Sequence, residues 1–516
     1  MSAVGFSAAF LAPLLALATY VVVPLDDRPV TAQLPRLLGA IAGARVAEPP
    51  RALLGKYLEP GDPDALARWL ANEAPADASG YIVSADMMVY GGLVASRIPG
   101  VDRGLAQRRL DGLAALRARH EGAMFSVFGT VMRLAPTGIP ALGRAAAFPF
   151  AGAAVWGGIQ QYANLPDPPV TDTDQTTARR LRAQLGPQID AYLATRARNR
   201  DVDLDELALA STGAFDRVVL GQDDAGPVGL HLRDLAALRE YAAQWDSPEH
   251  ASIEPGADEL GMALLAADLA HAAHAVPRVR IVYSRADGAT INDPIEFAPI
   301  DTTIRDLIRT CGATAADAGA PADFVLYVRV PSTSAEDERA FVDAIAADPE
   351  HAAVADLTFL ATNDYAQQRA LTDALTDRGV ATRVMAFASW NTTANTVGTT
   401  LPEAIAVFAG RRSGTYDRRA HLTFTLMRYL DDVIFHAAVR PALNDTLTFA
   451  GISDHTYLEP ETADQTAAQN RALLWRAGLA FIHRVEPRLR EDGFTITLPW
   501  DRTFETEIDL RFALDR

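Results

Sequence analysis

Tyr20-Val-Val-Val-Pro-Leu-Asp26-Asp27-Arg28-Pro29 runs from β-branched apolar residues straight into two carboxylates, a guanidinium and a proline. This reads as a buried strand that delivers charge to its C-terminal mouth, with Pro29 helping to end it. In α/β folds that mouth is where ligands sit. The pattern recurs along the chain. Gly221-Gln222-Asp223-Asp224 follows Arg217-Val-Val-Leu, Asn363-Asp364 follows Leu357-Thr-Phe-Leu, and Trp390-Asn391 follows Arg383-Val-Met-Ala-Phe. Strands that end in carboxylates, amides and an aromatic point to an enzyme.

Between such runs the apolar spacing turns helical. Leu34, Leu37, Leu38 and Ile41 follow the first strand, and Pro63 opens a helix with Asp62 as its cap. Further strands are expected at 44–47, 80–86, 124–131, 279–283, 324–330, 357–360 and 382–387, and further helices at 103–119, 258–274 and 335–347. Alternating strands and helices imply a parallel sheet covered by helices. The unit count favours a (β/α)8-barrel-like domain over 19–417. The alternative is an open, doubly wound sheet in two lobes. Residues 135–210 break the rhythm with Pro, Gly and Ala clusters and an Arg-rich helical stretch, and read as an insertion over one face. Residues 418–516 read as a mainly helical region with a β-like tail at Phe494–Trp500.

The bulk properties are those of a folded protein: 49% of residues are hydrophobic and 22% charged. A net charge of −18 argues against a nucleic-acid backbone or an anionic membrane as partner. The one cysteine, Cys311, lies in a helical pattern and is expected in the core, so neither a disulfide nor a Cys-based zinc site is available. Residues 1–18 carry no charged side chain and end in Ala16-Leu-Ala18, which fits a cleaved export signal without its usual basic start. The expected location is then secreted or cell-envelope, with a cytoplasmic protein as the alternative. No later stretch qualifies as a membrane span.

Four segments carry a resemblance: Pro24-Leu-Asp-Asp-Arg-Pro29, Asp86-Met-Met-Val-Tyr-Gly-Gly-Leu-Val-Ala-Ser-Arg97, Asp223-Asp-Ala-Gly-Pro227 and Trp390-Asn-Thr-Thr-Ala-Asn395. Together they resemble an uncharacterised bacterial family, a domain of unknown function, over nearly the whole chain. The resemblance implies no activity. It supports the choice of motifs only.

The chemistry must come from the residues. Asp26 and Asp27 point to opposite sides of a strand end, so one can face a ligand while the other pairs with Arg28 or caps a helix. Asp86, Tyr90 and Arg97 offer a carboxylate, a hydroxyl and a fork for an acid, and Gly91-Gly92 permits a positive-φ turn. Asp223 and Asp224 are the expected catalytic pair. Clustered acids push each other's pKa upward, and the resulting division into acid and base is what glycoside hydrolysis uses. Gln222, Asn363, Asp364, Asn391 and Asn395 offer polar contacts, and Trp390 a stacking face. For each of these the alternative is capping, ion pairing or packing. Asp258-Glu259 reads more readily as a helix cap. No nucleotide-binding glycine motif and no Gly-x-Ser-x-Gly elbow is present. The expectation is a hydrolase acting on a glycan or glycoside, without cofactor or metal. A metal-dependent hydrolase using Asp26, Asp86 and a histidine, and a non-catalytic carbohydrate- or envelope-binding protein, are the alternatives.

Overall fold

The computed structural model describes residues 18–120, 122–136, 150, 152–244, 250–317, 319–360 and 365–514. Eleven strands run in two parallel sheets. β1 (Thr19–Val23), β2 (Arg45–Ala47), β3 (Gly80–Ser84), β4 (Met124–Val131), β5 (Arg217–Gln222) and β6 (Ala251–Pro255) form the first, in the order β2-β1-β3-β4-β5-β6. β7 (Arg278–Tyr283), β8 (Thr314–Ala315), β9 (Phe324–Arg329), β10 (Ala352–Asp356) and β11 (Ala386–Ala388) form the second, in the order β11-β10-β9-β7-β8. An antiparallel pair, β12 (Leu489–Thr497) and β13 (Glu507–Leu514), closes the chain.

The expected barrel is therefore corrected. Among the described residues neither sheet closes on itself, and the arrangement is compatible with the open, doubly wound alternative. The cause lies in two helices. Leu260–Ala272 buries residues on all sides, including Leu260, Met262, Leu264, Leu265 and Leu269. Thr393–Ser413 is buried continuously from Thr393 to Val407. A barrel's outer helices keep one face in water, whereas helices buried all round need cover on every side. These two find it in a core that contains Tyr20, Val22, Ile82 and Phe128 of the first sheet together with Val279, Leu326, Val354 and Phe387 of the second. With period-two alternation, Val21, Val23, Tyr81, Val83, Phe125 and Val127 face the other way, into a separate core under Pro63–Asn72 and Arg103–Arg117.

Other expectations are also refined. The strand placed at 357–360 lies one step earlier, as β10, and Leu357–Leu360 forms a turn. Asp62 caps the helix at Pro63 by accepting from Ala65 N at 2.9 Å. Cys311 is buried. Within the insertion, helix Ala153–Ala163 packs on a helix spanning Asp172–Ser211 that kinks at Leu185, beside Pro187. The second half of that helix places Val202, Leu207 and Ala210 in the core of the first sheet, so it serves as the crossover between β4 and β5. Among the described residues no helix is long and apolar enough to cross a membrane. The export signal expected over residues 1–18 lies, up to residue 17, outside the described residues.

Candidate functional site

The first sheet changes winding direction between β1 and β3, and α/β sheets bind ligands at such a point, beyond the C-terminal strand ends. A cavity of about 400 Å³ opens at that rim. Its wall takes Arg28 from beyond β1, Arg97 from beyond β3, Arg133 from beyond β4, the end of β5 with Asp223 and Asp224, and Asp258 from beyond β6. The second sheet contributes Glu296 from beyond β7 and Asn391 and Asn395 from beyond β11. Trp156 enters from the insertion, and Trp500 and Arg502 from the loop between β12 and β13.

Seven of the residues expected from the sequence line this hollow: Arg28, Arg97, Gln222, Asp223, Asp224, Asn391 and Asn395. Asp223 is ion-paired to Arg97, and its Oδ1 accepts Asp224 N at 2.9 Å. Asp224 keeps 42% of its side chain open to the cavity. Protein atoms still enclose it enough that loss of solvation, then the charge of Asp223, pushes its pKa up to about 6. Gln222 donates to the carbonyls of Val131 at 3.2 Å and Asp223 at 2.6 Å, which turns its Oε1 into an acceptor with no partner among the described residues. Asn391 donates to Asn395 Oδ1 at 2.6 Å, and Asn395 donates to Glu259 Oε2 at 2.8 Å. Asn391 holds φ 54°, a left-handed conformation that asparagine adopts more readily than most residues.

The remaining expected residues stand behind the wall or away from it. Asp26 accepts the Arg28 guanidinium at 2.6 and 2.9 Å, and Asp258 accepts it from the other side at 2.6 and 3.1 Å. This corrects the reading of Asp258 as a helix cap. Asp27 accepts Trp500 Nε1 at 2.6 Å and faces a second cavity with Arg51. Asp86 is buried beneath, bonded to Thr130 at 2.8 Å, and burial pushes it up to about 6. Tyr90 is buried with the Arg198 guanidinium 4.4 Å from its ring centre. Trp390 lies in the interior, donating to Thr399 at 3.1 Å, so packing accounts for it. His231, the histidine that follows the Asp223-Asp224 turn and would be the nearest metal ligand in sequence, is buried against Phe297 and does not line the cavity. Asn363 and Asp364 lie outside the described residues.

The sequence model of one family, described as a protein of unknown function (DUF4127), matches residues 20–509. The chain belongs to the DUF4127 family. Comparison with curated proteins finds no match.

In this DUF4127 chain the residues missed from sequence include Tyr57, Arg133, Trp156, Glu296, Trp500 and Arg502. Arg133 sits two positions beyond a strand end and obeys the same rule as Asp223. The others come from an insertion, a loop and the tail, where no local pattern tells which way a side chain packs. Trp500 is 2% exposed. Tyr57 stacks on it at 5.1 Å, and the guanidinium carbons of Arg502 and Arg28 lie 4.5 and 4.9 Å from its ring centre. Its faces are occupied, so it serves as wall. Trp156 is partly exposed and fixed by a 2.9 Å bond from its Nε1 to the Pro136 carbonyl. Among the described residues no group of three or more His, Cys, Asp or Glu could hold a metal ion.

Proposed function

We propose that the protein is a hydrolase that cleaves a glycan or glycoside by carboxylate acid/base chemistry in this cavity. One observation carries the reading: Asp223 and Asp224 share the hollow in unlike surroundings. Asp223 is neutralised by Arg97, while Asp224 is pushed up to about 6 by loss of solvation and by its neighbour. Unlike environments for two adjacent acids are how enzymes divide donor from acceptor. Asp224 is then the proton donor to the leaving oxygen as the anomeric C–O bond breaks, and Asp223 accepts a proton from the water whose oxygen forms the new bond to that carbon. Gln222 and Asn391 orient the substrate's hydroxyls. The stacking face expected of Trp390 passes to Trp156, which lines the cavity and is partly exposed.

The sign of the pH dependence follows. A donor must hold its proton, so kcat/KM should fall as pH rises through about 6. Asp224→Asn should lower turnover in a glycoside screen by roughly 10²–10⁴-fold with the thermal unfolding midpoint unchanged. Asp224→Asn that keeps full turnover would end this assignment. Binding of glycans without turnover of any would leave a non-catalytic carbohydrate-binding protein.

A further inference from the structure

The cavity's four arginines are not equivalent. Arg28 is bonded on both sides, by Asp26 and Asp258. Arg97 is bonded to Asp223, and Arg502 donates to both oxygens of Glu505 at 3.0 and 2.9 Å. Arg133 is different. A backbone carbonyl, that of Ala135, orients it by accepting its Nε at 3.1 Å. Its ion-pair partner among the described residues, Asp224, stands 3.8 Å away, beyond hydrogen-bond reach. Loss of solvation and the repulsion of Arg97 push the Arg133 guanidinium down to about 10. When Asp224 carries the proton that its proposed role requires, Arg133 loses that facing negative charge too. Gln222 lines the same cavity, is 3% exposed, and holds a buried Oε1 acceptor without a partner among the described residues.

We propose that the substrate is an acidic carbohydrate, whose anionic substituent pairs with Arg133 while a nearby hydroxyl donates to Gln222 Oε1. The proposal rests on the carbohydrate reading of this site. A carboxylate, a sulfate ester and a phosphate ester share the chemistry Arg133 recognises, a planar or trigonal set of anionic oxygens that accepts a fork of donors. Arg133 is a binding residue here, and it takes no part in proton transfer.

The test applies the full-length protein to an array carrying neutral glycans, uronate glycans, the same uronates reduced to the hydroxymethyl form, and sulfated and phosphorylated glycans. Retention of one acidic class is expected, weakening with added salt. Arg133→Gln should lower it by about tenfold or more, and Arg133→Lys should restore part of it. Loss of retention on carboxyl reduction identifies a uronate, and retention of sulfated or phosphorylated glycans alone identifies an ester. Equal retention of neutral or reduced glycans overturns the proposal, as does acidic retention unchanged in Arg133→Gln, or retention of no glycan at all. The salt and reduction comparisons use the wild-type protein, so they decide the matter even where a variant misfolds. Acidic glycans that are retained but never cleaved overturn the hydrolase reading and leave this recognition standing. Cleavage confined to neutral glycosides does the reverse.

Discussion

Arg28 is the residue on which the first motif turns. Its guanidinium joins Asp26, two positions before it, to Asp258, 230 positions after it. With side chains only 7% and 12% exposed, the Arg28–Asp258 pair is close to a buried ion pair. Removing one partner of such a pair leaves the other uncompensated, so Arg28→Ala should lower unfolding free energy by about 3–5 kcal/mol in urea titrations. Arg28→Lys should recover little of this, since one ammonium cannot present the fork that both carboxylates use. Trp500→Phe keeps an aromatic ring, though a smaller one, and removes the donor to Asp27 Oδ1. A buried acceptor left unmatched costs about 1–3 kcal/mol, read in the same titration. Asp27 is already raised by burial, and Trp500 opposes that rise, so the variant's loss should be larger at alkaline than at acidic pH.

The element that most constrains the site is helix Thr393–Ser413. Its first-turn amides are taken by buried carboxyls of the other chain segment: Asp293 accepts Thr393 N at 2.8 Å, and Glu296 accepts Ala394 N at 2.6 Å. Glu296 is pushed up to about 8, first by burial and then by Asp293. Its folded pKa exceeds the unfolded value of roughly 4.5, so the unfolded chain releases this proton first. The associated stability is fully present below pH ~4.5 and declines as pH rises toward about 8, by about 1.4 kcal/mol per unit at most. Glu296→Gln should flatten that decline, seen as a smaller drop in unfolding free energy between pH 5 and pH 8. These connections also show where sequence reading stops. That Trp390-Asn391 follows a strand is written locally, but the Thr and Asn richness of Asn391–Thr400 reads as a loop, whereas Thr392 caps a helix there by accepting Asn395 N at 3.1 Å. That Asp293 and Glu296 close the same helix is not written locally, because nothing near them marks a partner one hundred residues away. The apolar surround of Leu260–Ala272 was visible in Leu-Gly-Met-Ala-Leu-Leu-Ala-Ala. Read as a helix needing cover on all sides, it favours two sheets over a barrel. The alternation of strands and helices says parallel but leaves closure open.

At the scale of the whole molecule, one continuous core links both sheets through Leu260–Ala272 and Thr393–Ser413. A shared core couples their unfolding. Tryptophan fluorescence and far-ultraviolet circular dichroism should report one coincident transition in denaturant. A fragment ending before β7 should fail to give a cooperative melt, because Leu260–Ala272 would stand uncovered on the side facing the second sheet. The gathering of Arg28, Arg97 and Asp223 at one rim was inferable, since the strands of one parallel sheet bring their C-terminal ends to the same edge, whereas Asn391 comes from the second sheet and its arrival was not. The contribution of the tail was not inferable, because Trp500 carries no periodicity to say what it covers.

That tail has a temporal consequence. Asp27 meets Trp500 across 473 positions, and Gln33 donates to the carbonyl of Ile508 at 2.7 Å. The wall around the opening motif is therefore complete only once the segment from Trp500 to Ile508 has been made. A nascent chain that stops short of Trp500 holds Arg28, Arg97, Asp223 and Asp224 and still lacks the finished pocket.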